Sequence, residues 1–182
     1  MLMLLGLPHR YEVEPLSEVP DGTQPLFRYS AVNSARNGGG VLLLRFRPEG
    51  MAPWIGSFAA GTVDKNGPSM VLSSPDPATA FVIAAGDGYS VRVDSPATWH
   101  MLPVSPVQFA EVLPAQGLVV LGSSNALAVY DLKGLCWFKR VVEDELKLQS
   151  IARGRINFSG LDAAQGKTVT LSADLGTGNE VK

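Results

Sequence analysis

Residues 118–137 read LVVLGSSNALAVYDLKGLCW. Two apolar runs, Leu118–Leu121 and the alternating Leu127–Tyr130, flank a glycine and a polar connector. An aspartate and a glycine-containing turn then lead into an apolar run ending in tryptophan. Alternation with a period of two marks a strand with one face buried. Residues 81–100, FVIAAGDGYSVRVDSPATWH, keep the same order, with Gly122 lying 36 residues after Gly86 and Asp131 lying 37 after Asp94. A third copy, INFSGLDAAQGKTVTLSADLGTGNEV at 156–181, puts Gly160 38 residues beyond Gly122. Its longer connector puts Asp174 43 residues beyond Asp131. In each copy the glycine is expected where the chain turns into a hairpin, and the aspartate is expected to accept an amide two residues on. Trp99 and Trp137 are expected to begin the following strand with a buried ring.

Similar runs, bounded by Gly, Pro, Asn, Asp or Ser, occur at Leu26–Val32, Val41–Phe46, Phe81–Ala85, Tyr89–Val93 and Val107–Leu113. They continue at Leu135–Val142, Leu146–Ile151, Ile156–Phe158 and Thr168–Ala173. Two windows read as helix-like, SPVQFAEVLPAQ and VVEDELKLQSIA. Pro114 interrupts the first, and a helical turn at 143–146 followed by a strand reconciles the second. The pattern predicts one all-β, antiparallel domain over 1–182, with repeat units at about 80–115, 116–153 and 154–182. A β-sandwich with Greek-key connections is the alternative.

Each unit holds about four strands in roughly forty residues, the size of a propeller blade. The stretch from 80 to 182 resembles the blades of quinoprotein-type and WD-like β-propellers, and is similar to the C-terminal half of some small bacterial proteins. The resemblance implies architecture without activity. Residues 1–78 fit the repeat poorly. The quinone-binding and calcium-ligating residues of quinoprotein dehydrogenases have no matching positions, so no cofactor is carried over.

Fifteen basic and seventeen acidic residues give a net charge of −2. Nucleic-acid binding calls for a basic field, and the one basic pair, Lys139-Arg140, is followed at once by Glu143-Asp144-Glu145. The opening MLMLLGLPHRYEVEP has no basic n-region and reads as a buried first strand rather than a secretory signal. No run approaches the ~20 apolar residues of a membrane span. With Cys136 alone, no internal disulfide forms. These features predict a cytoplasmic protein without nucleic-acid or membrane partners.

Three motif-like stretches read better as turns. GLDAAQGKT (160–168) has one residue too many for a phosphate-binding loop and precedes a strand rather than a helix. NSARNGGGVLLL (33–44) puts its glycines before a strand, the reverse of a dinucleotide fold. VDKNGPS (63–69) has only Asp64 and Asn66 at calcium-loop spacing. Cys136 reads as a small core residue, and His9 and His100 have no metal-ligand spacing to it. No metal or catalytic residue is assigned. The candidate binding residues are Trp54, among turn residues and open to a partner, and Trp99 and His100, which as strand neighbours point to opposite faces.

The function expected is a non-enzymatic interaction module, an accessory or neutralising partner of another protein. The alternative is a hydrolase or small-ligand enzyme whose site gathers His100, Asp94 and Glu111 from a distance.

Overall fold

A computed structural model of the chain describes residues 1–22, 24–30, 40–61, 67–162, 164 and 166–181. The first two glycines of the 38–40 triplet and the Asp64 and Asn66 pair lie outside them. The described residues form sixteen β-strands in four sheets and no helix. Most neighbouring strands run antiparallel.

Sheet I has the order β2 (Tyr11–Leu16), β4 (Val41–Pro48), β5 (Trp54–Ala59), β3 (Leu26–Tyr29). Sheet II has β1 (Leu2–Leu4), β6 (Met70–Ser73), β7 (Thr79–Ala84), β8 (Asp87–Arg92) and β9 (Trp99–Met101). Sheet III is the meander β10 (Phe109–Leu113), β11 (Leu118–Gly122), β12 (Ala126–Asp131), β13 (Gly134–Arg140). Sheet IV holds β14 (Asp144–Ala152), β15 (Arg155–Asp162) and β16 (Lys167–Asp174). Two pairs are parallel, β1 with β6 and β3 with β5.

The pleat explains how the sheets stack. Successive side chains of a strand point to opposite faces, and the middle sheets bury both. Ala80, Val82 and Ala84 of β7 join Phe46, Trp54 and Phe58 of sheet I in one core. Phe81 and Ile83, on the other face of β7, meet Val119, Leu121, Ala128 and Tyr130 of sheet III in a second. Val120, Leu127, Val129 and Trp137 meet Leu146, Ile156, Phe158 and Ala173 of sheet IV in a third. Consecutive sheets therefore pack face to face in chain order. The far faces carry polar pairings: Glu14 pairs with Arg45 and Arg47 on sheet I, and Asn157 bonds Ser150 and Ser172 on sheet IV.

Several expectations need correction. Gly86 turns β7 into β8 with φ +89°, but Gly122 ends a strand, and a Cβ there would strike the Phe109 ring. The two glycines are thus required for different reasons. Asp131 and Asp174 accept the amides of Lys133 and Gly176 at 2.7 and 3.1 Å, as turn aspartates do. Asp94 cannot, because residue 96 is proline; its carboxylate takes Arg92 at 2.6 Å. Trp99 does open β9, whereas Trp137 lies inside β13.

The helical turn at 143–146 is absent, since β14 begins at Asp144. The N-terminal strand exists, yet Leu2 and Met3 are exposed. The sheets change at 102–108 and 141–143, so β10, inside the expected unit 80–115, pairs with β11 of the following one.

Candidate functional site

Strand β13 is the outer strand of sheet III and pairs only with β12. Its register places Trp137 opposite Val129 and Phe138 opposite Ala128, then slips so that Leu135 faces Tyr130. Trp137 therefore shares the third core with Val129. Leu135 and Phe138 share the sheet II side with Tyr130 and Ala128. There they find little cover: Leu135 is 49% exposed and Phe138 44%, and Leu132 in the preceding turn is 69% exposed. Cys136 is the residue left over at the bulge and is exposed, which corrects its expected burial. Partial burial and the Asp131 carboxylate push its thiol pKa up, so it is a poor nucleophile.

Unpaired edge strands invite other strands, and proteins blunt them with short length, proline, charge or cover. Such devices protect several edges here. Strands β1, β3 and β9 have three or four residues. Strand β2 carries Pro15 between ion-paired Glu14 and Leu16. Strand β16 is covered by the tail, where Val181 donates to the Ser172 carbonyl at 2.8 Å. Strand β13 ends in Lys139 and Arg140 and bulges at Cys136, but its middle carries the apolar Leu135, Trp137 and Phe138, and among the described residues the backbone of Leu135–Phe138 bonds only to β12.

Beside this edge lies a cleft of about 460 Å³ between sheets II and III. Sheet II contributes Ser90 and His100, paired across β8 and β9. Sheet III contributes Tyr130, Asp131, Lys133 and Leu135. Asp76, also in the wall, is held by Arg92, Thr79 and the Ala78 amide. Tyr130 is only 4% exposed, its ring set edge-on to Phe81 at 4.8 Å, and its hydroxyl has no hydrogen-bond partner among the described residues. Burial pushes the phenol's pKa well up. An orphaned buried hydroxyl costs ~1–3 kcal/mol, and native structures keep few of them. A second groove of about 470 Å³ lies at 140–143 against sheet IV, but there Arg140 pairs with Glu143 at 3.4 Å.

The expected binding residues separate. Trp54 is 3% exposed, stacked on Phe46 at 4.4 Å, with its indole N–H donating to the Val93 carbonyl. It is a core residue rather than a surface anchor. Trp99 is half-buried against Tyr29, while His100, on the opposite face of β9, is exposed in the cleft. Neither Asp94 nor Glu111 lines that cleft. Glu111 alternates with Ala110 and Val112, which pack toward sheet II, so it projects to the far side of sheet III from His100.

Among the described residues no group of three or more His, Cys, Asp or Glu side chains is placed to hold a metal ion, and no helix is long and apolar enough to cross a membrane. The sequence matches no protein-family model and no curated protein.

Proposed function

We propose that this chain is a protein-interaction module, an accessory or neutralising partner that receives an extended segment of another protein along β13. In this reading the four sheets act as a propeller-like frame that holds the edge rigid. One observation carries it: a seven-residue edge strand with unbonded backbone groups and with Leu135 and Phe138 half-exposed on one face. Strand addition draws affinity from main-chain hydrogen bonds and specificity from alternate side chains, and this edge offers both. The competing catalytic trio has no such support, because sheet III separates Glu111 from His100.

Affinity capture from native cells tests the reading, with the wild-type chain and the Leu135→Lys/Phe138→Lys variant as baits and mass spectrometry as readout. A specific partner is expected with the wild type and not with the variant, while circular dichroism shows both folded. Identical protein sets from the two baits, or reproducible recovery of the chain alone, overturn it.

A further inference from the structure

The three interfaces between sheets end differently at their edge strands. Between sheets I and II, edge strands β3 and β9 bring Tyr29 and Trp99 edge-to-face at 5.5 Å. Tyr29 donates its hydroxyl to the Pro96 carbonyl at 2.9 Å, and nearby Trp54 donates its indole N–H to the Val93 carbonyl at 3.0 Å. Between sheets III and IV, Trp137 of β13 donates its N–H to the Leu175 carbonyl at 2.9 Å and lies against Gly178. In both places an aromatic side chain fills the space and its polar hydrogen crosses to the other side.

The middle interface has no such side chain. Its aromatic pair, Phe81 and Tyr130, sits in the core. Toward the edge, the facing side of sheet II is polar, with Ser90 and His100 beside the ion-paired Arg92, and Leu135 stays uncovered. What remains is the cleft, walled in part by Tyr130, whose hydroxyl is itself buried.

We propose that this cleft is a recognition pocket for an aromatic group carrying a polar hydrogen, an indole or a phenol, presented as a side chain by the segment that pairs with β13. The inference rests on the docking reading above and adds the chemistry of what docks. Three features select that group. The walls formed by Phe81, Pro103, Leu132 and Leu135 call for apolar area, and aromatic side chains supply the most. The side chains of Ser90 and His100 call for a hydrogen bond, which an aliphatic residue lacks. The lining sets two carboxylates, Asp76 and Asp131, against Lys133, while Arg92 nearby is paired with Asp76 and Asp94, so the walls do not favour an anion. The volume also falls within the ~300–1,000 Å³ range of small-ligand sites.

The test is an NMR titration of the full chain with indole and 4-methylphenol as probes and toluene as the apolar control. Saturable shifts at Ser90, His100, Tyr130 and Leu135 are expected, with toluene weaker. Ser90→Ala is expected to weaken indole binding about 5- to 10-fold without lowering thermal stability, in keeping with the loss of one hydrogen bond. Ser90→Leu, which fills the pocket, is expected to abolish it. A short extended peptide with one tryptophan is expected to bind at least tenfold tighter than its alanine counterpart.

Absence of saturable shifts up to the solubility of indole overturns the proposal, as does equal affinity in both variants. Free indole that binds while the tryptophan peptide gains nothing overturns the side-chain assignment and makes the site one for a free small molecule. If indole fails while the Leu135→Lys/Phe138→Lys variant still loses its partner, the pocket falls and the docking strand stands.

Discussion

The two faces of β13 are occupied differently. On one, Trp137 is buried against sheet IV and the tail, its N–H bonded to Leu175. On the other, Leu135 and Phe138 face sheet II and remain half-exposed. The strand is the same; the opposing surface differs. Sheet IV and the tail bring Ile156, Phe158 and Leu175, whereas the outer strands of sheet II bring a serine and a histidine. Burial is thus decided by what a sheet is laid against, and the polar choice at Ser90 and His100 keeps one side of β13 open.

The comparison breaks first at Trp137. Replacing it with alanine empties the closed face, and loss of a buried aromatic costs ~3–5 kcal/mol. Denaturant unfolding is expected to show a loss of that size, and a loss below about 1 kcal/mol would mean the closed side is not closed by this ring. Gly178→Ala should act on the same contact with a smaller effect. Gly178 sits at φ +65°, and an added Cβ would come within 2.6 Å of the Trp137 ring. Strain and overpacking of this kind cost ~1–3 kcal/mol, read as a lower melting temperature.

The smallest effect is electrostatic. Hydrogen bonds from Arg47 hold the Glu14 carboxyl below its usual range, and Arg92 does the same for Asp94. A carboxylate with a lowered folded-state pKa stabilises above its unfolded value, about pH 4, and that contribution is lost as pH falls through the lowered folded value. Both groups are at the surface, so acid is expected to lower the melting temperature modestly, and Glu14→Gln to shrink that dependence. Added salt should weaken it as well. A pH dependence unchanged in the variant would remove Glu14 from this account.

Much of the fold was legible. Period-two runs such as those around Leu127–Tyr130 and Thr168–Ala173 lie within β12 and β16, and the described flanks of the GLDAAQGKT stretch pair across β15 and β16, Leu161 with Thr168 and Asp162 with Lys167. The opening that reads as one strand is two, β1 and β2, and β5 and β6 are not marked by such runs. Pro53 and Gly56 around Trp54 read locally as a turn, while the long-range pairing with β4 and β7 makes both segments strands.

The site was less legible. Cys136 was misplaced because the bulge beside Tyr130 slips the alternation, leaving it unpaired between Leu135 and Trp137. Strand alternation sets His100 on the face opposite Trp99, and His100 lines the cleft. Its companions Tyr130, Lys133 and Leu135 lie some thirty residues on, and only the packing of two sheets brings them together. No local pattern marks Tyr130, since a tyrosine at the end of an apolar strand reads as an ordinary core residue.

The leftover residue of the bulge has a practical consequence. As the chain's sole sulfhydryl, set at the surface of the strand assigned to docking, Cys136 can carry a single fluorophore or spin probe without any engineered change. Maleimide coupling there should be sluggish at neutral pH and quicken under alkaline conditions, because the thiolate is scarce. A polypeptide settling along that edge would shield the sulfur and slow the coupling further, giving a direct kinetic report of occupancy.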